Sequence, residues 1–166
     1  MESKILKSQK GITILEVVIA VFILALLFAS VTLFVDPVGM RQKSRDSRRL
    51  SDISALERII SEYRVDNGQY PDVENILRQS NVLPDPSSIS FNSSQAGWIN
   101  EDFRNYNSIL NADPVNDATY HYLYIHNTSS FELNARLEKL TEPSLEDGGN
   151  DLDMYEVGNN LNLIAP

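Results

Sequence analysis

Residues 10–35 read KGITILEVVIAVFILALLFASVTLFV. From Ile12 to Val35 the run is broken only by Thr13, Glu16, Ser30 and Thr32. As an α-helix it extends about 36 Å at 1.5 Å per residue, enough to cross a hydrocarbon core of about 30 Å. Glu16 is the anomaly. A carboxylate in hydrocarbon costs on the order of 3 kcal/mol even on the gentler scales, so an acid there is first suspected of a function. A plain membrane anchor accounts for the run but not for Glu16. A cleaved secretory signal has a basic leader in KILKSQK and small residues in LFAS, yet this run is longer than a usual signal core and contains an acid.

The remainder of the 166-residue chain is large enough for one modest domain. Its formal charge of −9 is unevenly spread. Pro37 to Val65 holds seven Lys/Arg against four Asp/Glu, and Asp66 to the end holds four against sixteen. A basic neck therefore carries a strongly acidic body, which disfavours nucleic acid as a partner of the body. With no cysteine, disulfides, thiol catalysis and cysteine metal sites are excluded. Lys4, Lys7 and Lys10 precede the apolar run, while Arg41, Lys43, Arg45, Arg48 and Arg49 follow it. Taken alone, the positive-inside tendency would keep the body on the cytoplasmic side.

KGITILE followed by a long apolar helix resembles the prepilin signature of type IV pilins and type II secretion pseudopilins. The resemblance implies a cut between Gly11 and Ile12 by a prepilin peptidase, N-methylation of Ile12, and Glu16 at the family's glutamate position. Ile12 departs from the phenylalanine commonest there, though other apolar residues are accepted. Such a cut would place a charged amine one helical turn from Glu16. The amine of a neighbouring copy could then pair with the carboxylate and set the stagger between subunits, since either charge buried alone is expensive. The implied partners are copies of this chain and related pilins in a helical filament, the peptidase, and an inner-membrane assembly platform. The implied location is the cytoplasmic membrane, crossed once with the body outside the cytoplasm, and a cell-surface or extracellular filament after assembly.

Pro37 and Gly39 predict a kink or melted turn after the apolar run. Beyond them Leu50, Ile53, Leu56, Ile60 and Tyr63 recur at steps of three and four, one stripe of an amphipathic helix. Gly68 and Pro71 mark its end. The basic group Arg41–Arg49 reads as a solvated face, or as a surface meeting the acidic bodies of adjacent copies. RDSRRLSDISALERIISEYRVDNGQYP resembles the pilin stretch that ends in a tyrosine-proline pair.

In the body, PDVENILRQSN reads as a short helix opening at Asp72, and PDPSSISFNSSQAGW reads as a loop. Trp98, Phe103 and Tyr106 are core candidates. TYHYLYIH and FELNARLE form an antiparallel hairpin across NTSS, with a third strand in MYEVG or LNLIA. The helix stripe and the apolar hairpin face need each other, so a helix lies across a small antiparallel sheet. The hairpin resembles the sheet of the major pseudopilin, which implies a pilin fold of α+β class with the first half of its long N-terminal helix transmembrane. The same resemblance points to calcium at EDGGNDLDMYE, through Asp147, Asn150, Asp151 and Asp153, oxygen ligands of the type Ca²⁺ prefers. The alternative is an acidic turn that keeps the surface soluble.

No nucleophile elbow, phosphate loop or HExxH occurs, and His121 and His126 are the only histidines. Catalysis is not expected. The expected layout is a leader over 1–11, an assembly helix over 12–35, a kinked neck and stalk helix over 36–71, and an acidic domain over 72–166. The function expected is that of a structural subunit of a pilus or secretion pseudopilus. The rival is a membrane-anchored binding domain that never polymerises.

Overall fold

The computed structural model describes residues 11–34, 36–84, 90–107 and 109–166. The leader residues before Gly11, with Lys4, Lys7 and Lys10, lie outside them, as does part of the PDPSSISF loop. The chain divides into two units, Met1–Val38 and Gly39–Pro166.

The first unit is carried by helix α1, Ile14–Phe34. Its residues 14–30 are exposed on every side. A helix apolar all round is stable only within a membrane or within other protein. Among the described residues no helix is long and apolar enough to cross a membrane.

The second unit is built on helix α2, Pro37–Asn67. Proline at its first position needs no intrahelical donor, so Pro37 starts a second helix after α1 ends at Phe34. Gly68 follows at φ 75°, donating its N–H to the Arg64 carbonyl at 3.0 Å, a left-handed stop that glycine adopts freely. Ile53, Leu56, Ile60 and Tyr63 are buried as the periodicity requires, and Ile59 joins them. They meet an antiparallel sheet of order β1-β2-β3-β4: β1 Arg78–Gln79, β2 Tyr122–His126, β3 Phe131–Arg136 and β4 Met154–Gly158. Register pairs Tyr122 with Ala135, Tyr124 with Leu133, and Leu133 with Val157. These alternate residues form the face toward α2. Trp98 and Phe103 are fully buried against the same core and Tyr106 packs on its edge, as the sequence predicts. A short helix α3, Glu142–Glu146, precedes β4. MYEVG is the strand, and LNLIA is not.

The helix expected at Asp72 does not form. Asp72 and Asn75 both have positive φ, 73° and 60°, which breaks a right-handed helix. The Asp72 carboxylate instead accepts from Val73 N at 2.7 Å, Asn100 N at 2.9 Å and Arg78 Nε at 2.7 Å. Those bonds draw residues 78–79 alongside β2 as an edge strand.

Candidate functional site

At the head of α1, Gly11 to Thr13 are outside the helix. Glu16 N donates to Thr13 Oγ1 at 3.3 Å and to the Thr13 carbonyl at 3.1 Å. Thr13 is thus the helix cap, and T-I-L-E has the spacing of a capping box. Glu16 lies in the first turn, where the helix dipole favours an acid. Among the described residues no side-chain hydrogen bond or ion pair engages its carboxylate. Ile12 is 77% exposed and the space around Gly11 is open. The head of the helix presents one uncompensated acid, with an apolar cylinder behind it.

The neck differs from the solvated face expected of its charges. Arg49 is fully buried. Its Nε donates to Asp113 Oδ2 at 2.6 Å, and Nη1 donates to Asp46 at 2.9 Å and to Glu138 at 2.6 Å. Arg45 also holds Glu138 in a bidentate pair, and Arg48 reaches Asp52 at 3.5 Å. Burial alone would lower the Arg49 pKa, but bonds to Asp113 and Glu138 raise it above the ordinary arginine value. Asp46 accepts three backbone N–H groups, from Glu138, Lys139 and Leu140, pinning the chain after β3 to α2. Asp52 accepts from Tyr122 Oη at 3.0 Å and Asn111 Nδ2 at 2.9 Å. Burial raises its pKa, against the lowering effect of the Tyr122 bond. Three of the five cations from Arg41 to Arg49 are therefore spent within the chain. A charge run looks solvated in sequence, and the i,i+3 spacing of Asp46 and Arg49 was the signal available for finding the pair.

The turn after α3 is closed by its own acids. Asp147 Oδ1 accepts from Gly149 N at 2.8 Å and Oδ2 from Glu156 N at 2.8 Å. Asp151 Oδ1 accepts from Asp153 N at 2.9 Å. The Asp153 side chain is 77% exposed and lies 3.9 Å from Arg136. Asn150 is half-buried and its N donates to Glu156 at 2.7 Å.

Comparison with known proteins gives a match at the head of the chain. Residues 6–32 match the family described as the prokaryotic N-terminal methylation motif. The chain is similar to the type II secretion system core protein G of Aeromonas hydrophila, 31% identical over 86 residues, 49% of this chain and 59% of the relative. It is 29% identical to that of Klebsiella pneumoniae over 94 residues, covering 57% and 66%. It is 36% identical to that of Vibrio cholerae over 76 residues, covering 45% and 49%. The matched stretch spans less than two thirds of each of these relatives. No solved structure matches.

Proposed function

We propose that the chain is a structural subunit of a type II secretion pseudopilus or a related type IV pilus-like filament. The observation that carries this reading is the coincidence of the methylation motif over residues 6–32 with a helix that is apolar on every side and carries one unpartnered acid in its first turn. The name of the relatives, core proteins of a secretion system, supports a structural role over a catalytic one.

In this reading a prepilin peptidase cuts between Gly11 and Ile12, and the new terminus on Ile12 is methylated. The segment Ile12 to Val35, longer than the stretch of α1 whose side chains are described, crosses the cytoplasmic membrane once. The body then lies outside the cytoplasm, and an assembly platform draws subunits into a filament. There α1 exchanges lipid for the helices of neighbouring copies. Glu16 meets the amine of the adjacent subunit, a pair that resists breaking because an orphaned buried charge costs about 3–5 kcal/mol.

Mass spectrometry of chain recovered from membranes tests the first step. The expected mature terminus is a methylated Ile12. An intact Met1 leader would replace this reading with the tethered monomer. Glu16→Ala should leave processing and membrane insertion unchanged and remove the subunit from sheared filaments. Normal amounts of the variant in filaments would reject the pairing.

A further inference from the structure

His126 closes β2 and is 3% exposed. It is one of two histidines in the chain, and the proposed assembly makes no use of it. Alternation along β2 puts it on the face of Tyr122 and Tyr124, which belong to the core under α2. Register sets it opposite Phe131 on β3, and its own carbonyl accepts from Asn75 N at 2.8 Å.

Both ring nitrogens face carbonyl oxygens. Nε2 lies 3.2 Å from the Asp72 carbonyl, and Nδ1 lies 3.2 Å from the Asn127 carbonyl. A carbonyl only accepts, and a neutral imidazole has a single N–H to give. In that form one nitrogen turns its lone pair on an oxygen in a buried place, where polar groups are costly to leave unmatched. The imidazolium donates from both nitrogens, and hydrogen bonds from an ionised donor are the stronger kind. The neighbouring rings favour the same form. Tyr124 stacks on the imidazole with centroids 5.7 Å apart, and Tyr70 leans on it at 5.9 Å. Both lie within the roughly 6 Å over which an aromatic ring attracts a cation.

The other ionisable groups around the ring are already engaged. The Asp72 carboxylate is held by Arg78 and by the N–H groups of Val73 and Asn100. Arg64 of α2 lies 5.2 Å from the centre of the Tyr70 ring. Tyr124 Oη donates to the Pro71 carbonyl at 3.1 Å, and Tyr70 Oη accepts from Asn159 Nδ2 at 3.1 Å. From β3, Phe131 brings no charge. Among the described residues no carboxylate pairs with the imidazole, so the two carbonyls receive its protons.

We infer that His126 is a proton-operated clamp on the segment that follows α2. With two protons the ring ties the Asp72 carbonyl to the end of β2, and Asp72 in turn holds Arg78 of the edge strand β1. The second bond exists only with the second proton, so it is present at acid pH and is lost as pH rises. The clamp belongs to the single chain, whether or not the chain polymerises.

The test follows the ring directly, in the full chain in detergent, isotope-labelled at the histidine nitrogens. Magnetic resonance should show protons on both His126 nitrogens at about pH 5 and on one at about pH 8, across the range where imidazole titrates. His121→Gln identifies which signals are those of His126. Hydrogen exchange reads the consequence at the Asn75 and Ser80 amides, which donate to the His126 and Tyr122 carbonyls. Their protection factors should rise about three- to tenfold between about pH 8 and about pH 5, the worth of one hydrogen bond. His126→Gln should abolish that rise, and His121→Gln should keep it. A ring with one N–H at both pH values would overturn the clamp, as would a rise that survives His126→Gln. Should His126→Gln not fold, the titration of the parent ring decides alone.

Discussion

Arg49 is the residue on which the neck and the body are joined. Its guanidinium is fully buried among Asp46, Asp113 and Glu138, so its removal leaves carboxylates in the interior without a cation. Arg49→Met is expected to destabilise the fold by about 3–5 kcal/mol, read as a lower urea midpoint with an unchanged m-value. Glu138 supplies a pH signature. A hydrogen bond from Arg45, reinforced by Arg49 against the opposing effect of burial, lowers its pKa from 4.5 to about 2. The folded value lies below the unfolded one, so this stabilisation is present above the ordinary glutamate range and is lost as pH falls through about 2. Glu138→Gln should therefore flatten the decline of Tm between those two values. A decline as steep as the parent's would remove Glu138 from the account of acid unfolding.

Among the elements, α2 bears the core and is the one whose stripe sets stability. Leu56 is fully buried against the sheet. Leu56→Ala should cost about 2–5 kcal/mol by leaving a cavity, measured by chemical denaturation. The elements legible in the sequence were those with a strong period: α2 from Ile53, Leu56, Ile60 and Tyr63, and the hairpin from alternation along YLYIH and FELNAR. Stop signals at Gly68 and Pro71 were equally plain. Two things were not. The edge strand β1 is two residues long, too short for any period, and it exists because Asp72, at positive φ, anchors Arg78. The face of β3 turned away from α2 carries Glu132 and Asn134, which alternation assigns to solvent. Only the fold back of Leu163 and Ile164, more than two dozen residues on, encloses them.

At the scale of the whole molecule, two units divide the labour. Among the described residues the buried apolar core lies within the body from Gly39 onward, while every described side chain of α1 up to Ser30 is exposed. A chain beginning at Gly39 is therefore expected to unfold cooperatively in water without detergent, followed by circular dichroism. A broad, non-cooperative melt would make α1 part of the body's stability. The charge map changes too. With Arg45, Arg48 and Arg49 paired internally, Arg41 and Lys43 are what the Arg41–Arg49 group would offer to the acidic body of another copy in the proposed filament. The head of α1 has one more consequence. Proteases take peptide in extended form, and the coil here winds up only from Ile14, with Thr13 fastening its first turn. The proposed scissile bond after Gly11 thus lies ahead of the first turn of α1, and severing it would unravel no turn of that helix.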